Sequence, residues 1–323
     1  MPETALAVVA DHPSALAPLA EQARNYARQA KAANTRRAYR AAWEDFAAWC
    51  AERGTEALPA TPALVGLYLT DRAATHKVAS LRLRLVAIRQ AHTLAGHRLD
   101  STAPEIAEVL KGIIRTRGTA PAKKEAAVTE VVRDALRELA KDPGLRALRD
   151  RALLLLGFAA ALRRSELVAL ERADIVFSRD GLMVTLRRAK TDQEGKGAEL
   201  GIPFGTTALT CPVRTLQAWL DAAGIKAGPL FVGINKAGRR GTEPLSDKAV
   251  ALVVKAAVTA AGYNAKVYSG HSLRSGFATS AARAGVPEAH IQIQTRHKSL
   301  PVLRGYIRRG SLFNDNAAAK VGL

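Results

Sequence analysis

Aromatic and aliphatic side chains recur early in the chain at helical intervals. In "NTRRAYRAAWEDFAAWCAERG" Tyr39, Trp43, Phe46 and Trp49 follow one another at steps of four, three and three, and Gly54 closes the run. That spacing predicts an amphipathic helix with one buried stripe and a glycine stop. Arg36, Arg37 and Arg40 crowd its first half, where the helix dipole is already positive, so an external anion would relieve the repulsion. In "SLRLRLVAIRQAHTLAG" the positions Leu81, Leu85, Ile88 and His92 share one face, and Leu83, Ala87, Gln90 and Leu94 share a second. Arg82, Arg89 and Thr93 take the remaining stripe, as expected of a helix packed on two sides with a basic third side.

Periodicity disappears in "GTAPAKKEAA", which combines glycine, proline and small residues with the adjacent Lys123 and Lys124. A linker over 121–127 is expected there, separating a helical domain of residues 1–120 from a second domain of residues 128–323. Beyond it "RALLLLGFAAAL" is apolar nearly all round and predicts a buried central helix. "ADIVFSRDGLMVTLRRAKTDQEGKGAELGIPF" holds three short runs broken by "SRDG" and "TDQEGKG", the pattern of a small antiparallel meander. Two further helices are expected, one opened by Pro212 and ended at Gly224, the other capped by Ser246 and ended at Gly262. The fold class is mainly α with a small antiparallel β-sheet, an α+β arrangement.

Composition changes this picture through charge. The 323 residues carry 48 Lys and Arg against 29 Asp and Glu, a net charge of +19. An excess of that size in a globular chain points to an abundant anionic partner, nucleic acid before any other. Cys50 and Cys211 are the only cysteines and lack the spacing of a zinc or redox motif, which argues for a reducing compartment and against a disulfide framework. The apolar "ALAVVA" near the start is too short for a signal peptide or membrane span, so a cytoplasmic, nucleoid-associated protein is expected.

Several chemistries lack their residues. "EGKG" has neither the spacing nor the hydroxyl of a P-loop, no G-x-G-x-x-G follows a strand, and no G-x-S-x-G elbow occurs. His290 and His297 stand seven apart without a metal-binding pattern, so neither a metal nor a cofactor is expected. What remains is a set of cations with one phenol. His271 and Arg274, at i and i+3, open a helix that closes at Gly285. Arg163 stands at the break before a helix for which Ser165 is the expected cap and Glu166 an expected partner. Tyr306 follows in the same last stretch. Arginines and histidines can hold the non-bridging oxygens of a phosphodiester and stabilise a pentacoordinate transition state. Such cations also lower the cost of a tyrosine phenolate, and a lysine can protonate the leaving sugar oxygen.

The order of these boxes resembles that of the tyrosine recombinase (phage integrase) family. "ALRRSEL" resembles the family's "GLRxSEL" and makes Arg163 the first catalytic arginine. "AKT" resembles the β-strand lysine motif and assigns Lys190, with Lys196 in the same hairpin as the competing candidate. "HSLR" matches the H-x-x-R box and gives His271 and Arg274, while "RHKSLPVLRGY" resembles the closing box, with His297 in the His/Trp position and Tyr306 as nucleophile. Some positions depart from the pattern: Arg296 stands where the family usually has glycine, and Arg164 replaces a usual apolar residue. The resemblance implies a helical core-binding domain, a catalytic domain, and a site-specific recombinase that joins Tyr306 to a DNA 3′-phosphate.

In that reading Glu166 supports the catalytic shell, and Arg36, Arg37, Arg40, Arg82, Arg89, Lys123 and Lys124 contact double-stranded DNA. The family's cyclic tetramers imply a homo-tetramer on paired sites, with accessory proteins an open question. The tail "SLFNDNAAAKVGL" is a candidate docking helix for a neighbouring copy. Two alternatives stay open: a non-catalytic architectural DNA-binding protein, and a type IB topoisomerase or telomere resolvase with the same nucleophile.

Overall fold

The computed structural model describes residues 16–29, 33–118, 124–187, 197–312 and 321. The chain divides into two compact units, Met1–Ala122 and Lys123–Leu323.

The first unit is helical: α1 (Ala17–Gln29), α2 (Ala33–Ala51), α3 (Pro62–Ala73), α4 (Val78–Leu94) and α5 (Pro104–Arg117). The aromatic stripe of α2 behaves as its spacing predicts. Phe46 and Trp49 are buried, and Phe46 meets Tyr68 of α3 edge to face at 4.9 Å between ring centroids. Leu69, Leu81, Ile88 and Ile106 complete this core. Helix α4 buries Leu81, Ala87, Ile88, Ala91 and His92, and turns Arg82, Arg89 and Thr93 to solvent. His92 is a satisfied core residue: its Nε2 accepts from the Ala60 N–H at 2.8 Å, and its Nδ1 faces the Ile88 carbonyl at 2.9 Å. The sequence pattern did not separate Arg84 from the rest of α4. It joins Arg72 and the Tyr68 hydroxyl around the Asp45 carboxylate; burial pushes that carboxyl's pKa up, but these partners hold it below the usual carboxylate range.

The second unit opens with α6 (Thr129–Leu139), α7 (Leu145–Ala159) and α8 (Arg164–Ala169). Strands β1 (Ile175–Ser178), β2 (Gly181–Leu186) and β3 (Ala198–Pro203) form the expected antiparallel meander in the order β1-β2-β3. Register pairs Val184 with both Ile175 and Leu200, so Leu182, Val184 and Leu186 point into the core while Met183 faces out. Helix α9 (Pro212–Ala223) ends on Gly224 in the left-handed region, as its sequence predicts. Strands β4 (Val232–Ile234) and β5 (Arg240–Pro244) form a second, two-stranded sheet that the pattern did not announce. Then come α10 (Asp247–Ala260), α11 (Ser272–Arg283), α12 (Glu288–Thr295) and α13 (Leu300–Gly310). The apolar helix α7 is central, burying Ala152, Leu153 and Leu156 against Trp219, Phe231 and the inner face of the meander, and Leu154 and Leu155 against Val132, Val254 and Leu273 on its other side.

One cap differs from expectation. Ser165 is exposed inside the first turn of α8, and the cap position belongs to Arg163. The Glu166 carboxylate reaches back to the Arg163 backbone N–H at 2.9 Å and satisfies the orphan donor, so no hydroxyl is needed.

The segment expected to be linker is also partly built into this unit. The Glu125 N–H donates to the Val267 carbonyl and the Ala127 N–H to the Ser272 carbonyl, at 2.8 and 2.9 Å. Gly276 of α11 lies under this segment, where a Cβ would stand 1.9 Å from the Ala127 oxygen. Gly310 lets the end of α13 approach α11 as closely, a Cβ there falling 2.4 Å from the Thr279 oxygen. These two approaches fix α11 between its neighbours.

Candidate functional site

Four short segments of the second unit bring the expected side chains together. The first is the corner between α7 and α8. Ala161 has φ +47°, a conformation that costs an L-residue about 1 kcal/mol. The turn leaves the Ala161 carbonyl facing the buried Arg274 and leads into Arg163, whose side chain is itself largely buried. Arg163 Nη1 donates to Glu166 Oε1 at 2.5 Å, and the Glu166 side chain is 2 % exposed. Burial pushes the Glu166 carboxyl up, but the Arg163 backbone N–H and the charges of Arg296 and Arg163 hold it below its ordinary value. Glu166 is therefore an ionised anchor between cations.

The second segment is the start of α11. His271 occupies its N-cap position and Arg274 lies one turn on, 1 % exposed. Arg274 Nη1 donates to the Ala161 carbonyl at 2.7 Å, while its Nη2 is buried without a hydrogen-bond partner. Burial first, then the charges of Arg163 and Arg296, lower its pKa to about 9. A buried arginine with one end fastened and the other unsatisfied is set up to receive an anion.

The third segment is the end of α12. Thr295 is buried, and its hydroxyl donates to the Ile291 carbonyl at 2.6 Å. That hydroxyl must then accept at its 2.7 Å contact with His297 Nδ1, so Nδ1 carries the ring proton and Nε2 is the basic nitrogen. Burial, followed by the charges of Arg274 and Arg163, lowers the His297 pKa to about 4. The fourth segment is α13, where Tyr306 packs beside Leu303, its ring centroid 5.9 Å from that of His297. A cleft of about 320 Å³ opens over Tyr306 and His271, lined also by Lys124, Ser272, Ser275 and Arg309.

The His297 shift has a measurable consequence. A base whose folded pKa lies below its unfolded value of 6.5 takes up its proton more readily when unfolded. Its stabilising contribution is complete above pH 6.5 and is lost as pH falls toward about 4. Thermal melts of the parent protein and His297→Gln should therefore diverge across that window, the parent losing more stability. Parallel curves would show that His297 is not held neutral by its surroundings.

Arg163, Glu166, His271, Arg274, His297 and Tyr306 thus share one neighbourhood. Lys190, Lys196 and Lys123 lie outside the described residues, as does 313–320 of the tail. Lys124 lies at the rim of the cleft and donates to the Lys266 carbonyl at 2.5 Å. Arg36, Arg37, Arg40, Arg82 and Arg89 are exposed on α2 and α4 of the first unit. Sequence reasoning missed the part played by Arg296. Its side chain turns inward, and its Nη2 donates to Glu166 Oε2 at 3.0 Å. Thr295, which orients His297, was missed as well; no spacing rule marks it.

Comparisons with known proteins agree with this architecture. Residues 128–310 match the phage integrase family. An integrase/recombinase XerD homolog of Selenomonas ruminantium is 38 % identical over 302 residues, covering 93 % of this chain and 88 % of its own. The Cre recombinase of Escherichia phage P1 is 26 % identical, with 87 % and 85 % covered. Among solved structures, a lambda integrase dimer bound to a COC′ core site superposes with a TM-score of 0.58 at 18 % identity, covering 90 % of this chain and 94 % of that one. The chain belongs to the phage integrase family. Its activity is that of a site-specific tyrosine recombinase, an enzyme of DNA strand breakage and rejoining.

Proposed function

We propose that Tyr306 is the nucleophile of this recombinase and that the cations Arg163 and Arg274, with His271 and His297, form the shell around the scissile phosphate. In this reading the Tyr306 oxygen attacks phosphorus, the bond from phosphorus to the 5′-oxygen breaks, and a 3′-phosphotyrosyl link forms. His271, exposed at the head of α11 and lining the cleft with Tyr306, takes part in moving the phenol proton and in binding phosphate. Lys190 delivers a proton to the departing 5′-oxygen. Arg163 and Arg274 stabilise the added negative charge, and His297 joins them by donating from Nε2 once the anionic phosphate raises its pKa and the ring takes up a proton, with Glu166 orienting Arg163. The observation that carries the reading is the buried, unpartnered Nη2 of Arg274 in the same neighbourhood as the tyrosine. A purely architectural DNA binder has no use for a desolvated cation of this kind.

Arg36, Arg37, Arg40, Arg82, Arg89, Lys123 and Lys124 neutralise backbone phosphates of duplex DNA, so binding weakens with salt at a log–log slope of about −0.9 per contact. Four copies assemble on paired sites, with or without accessory proteins, in the cytoplasm beside the nucleoid. Among the described residues no helix is long and apolar enough to cross a membrane.

The test is a denaturing gel of end-labelled DNA incubated with the protein in excess chelator and without nucleotide. A covalent adduct should form undiminished, because the cations replace a metal and the phosphotyrosyl link conserves the bond energy. Loss of the adduct in chelator, restored by magnesium, would point to a different chemistry. On the same gel a 5′-bridging phosphorothiolate, whose leaving sulfur needs little protonation, should rescue Lys190→Ala. Rescue of Lys196→Ala alone would move the general acid to Lys196.

A further inference from the structure

Arg296 is the C-cap residue of α12, with φ +53° and ψ +42°. Glycine adopts this left-handed conformation freely, whereas an L-residue pays about 1 kcal/mol. Backbone preference therefore argues against arginine at this position, and the side chain must supply the compensation. Only 12 % of that side chain is exposed. Its Nη1 donates to the Ala160 carbonyl at 3.2 Å and to the Gln294 carbonyl at 3.0 Å, and its Nη2 donates to Glu166 Oε2 at 3.0 Å. A longer contact of 3.5 Å reaches the Ala161 carbonyl, the acceptor that fastens Arg274.

Every partner of this guanidinium adjoins a group already placed in the site. Glu166 Oε1 holds the Arg163 side chain, while Oε2 is shared between the Arg163 backbone and Arg296. Ala160 and Ala161 form the corner that aims Arg163 and anchors Arg274. The next residue in the chain is His297. One planar fork thus pins the end of α12 to the start of α8, two segments more than a hundred residues apart in sequence. A lysine has a single nitrogen and cannot span this set of acceptors in one geometry.

We propose that Arg296 is a positioning residue for strand cleavage: it locks His297, Arg163 and the Ala161 carbonyl into one frame, and does so through the Glu166 carboxylate without touching DNA. This rests on the reading of the cationic shell given above. In a site where displacement of about 1 Å can lower rates by about a hundredfold, such a strut acts on the chemical step and leaves the grip on DNA alone.

The experiment compares the parent, Arg296→Gly and Arg296→Lys in single-turnover cleavage at saturating DNA, alongside equilibrium binding to the same duplex. Glycine relieves the left-handed backbone, so its fold should hold in a thermal melt. Its cleavage rate should nonetheless fall at least about tenfold, with Kd changed by less than about threefold. Arg296→Lys should recover part of the rate. Parent-like cleavage by the glycine variant would overturn the proposal, as would a loss lying wholly in Kd. If the glycine variant unfolds, the lysine variant decides: slower cleavage at unchanged Kd supports the strut, and the parent rate overturns it. A Tyr306→Phe control run in parallel tests the underlying reading separately, since an adduct in that control would remove the nucleophile assignment whatever Arg296 does.

Discussion

Replacing Tyr306 by phenylalanine will abolish covalent attachment to DNA while leaving duplex binding within about twofold of the parent. The ring packs in the small cluster of Ala278, Ala282, Ile291 and Leu303 between α11, α12 and α13, and phenylalanine fills the same space. Deleting the hydroxyl removes the only atom proposed to bond to phosphorus, so no slower version of the same reaction remains. Thermal stability should be unchanged, which separates a chemical defect from a folding one. The readout is a denaturing gel of labelled DNA. An adduct of parental intensity from the phenylalanine variant would end the assignment.

The second large effect is expected at Arg274, where activity and stability should move in opposite directions. Its pKa of about 9 lies well below the ordinary arginine range, so folding disfavours the charged form. That unfavourable contribution is complete at every pH below about 9 and fades only as pH rises from there toward the ordinary arginine range. At neutral pH the free protein carries the whole of it. Arg274→Met keeps a long stem, removes the desolvated charge and ends its repulsion with Arg163 and Arg296. DNA-free thermal stability should therefore match or exceed the parent, despite the lost bond to Ala161. Cleavage should fall by about 10²- to 10³-fold, the scale of removing a donor aimed at developing transition-state charge. A variant that melts many degrees lower, or cleaves at the parental rate, would show that Arg274 is an ordinary core arginine.

Much of this was legible in the sequence, for identifiable physical reasons. Helix α2 declares itself through one apolar stripe and a glycine stop, α4 through its two apolar faces, α7 through a run apolar nearly all round, and α9 and α10 through the residues that open and close them. The three-strand meander is equally plain, since its middle strand alternates between core and solvent. Strands β4 and β5 are not, because one spans three residues and the other, "RGTEP", is exposed throughout. The site was legible as a series of boxes, each contiguous in the chain. What joins the boxes was hidden: Arg296 reaches Glu166 across 130 positions, and no local pattern encodes that contact. The departure at Arg296 was visible as a residue standing in a glycine place. Its meaning emerges only with the left-handed backbone, which turns an apparent irregularity into a buried tie. Ala161 shows the same physics at the other corner, standing where the family pattern has glycine and likewise adopting a positive φ.

The backbone bonds from Glu125 and Ala127 bear on how the second unit could be isolated. A fragment cut where the family match begins, at residue 128, would strip the donors from the Val267 and Ser272 carbonyls and uncover the groove at Gly276. The loop that presents His271 would then lose its outer stitching. A protease, or an engineer choosing a start codon, can trim as far as Lys124 without reaching either bond. Four residues of apparent spacer thus set the smallest piece of this chain that keeps the histidine loop closed.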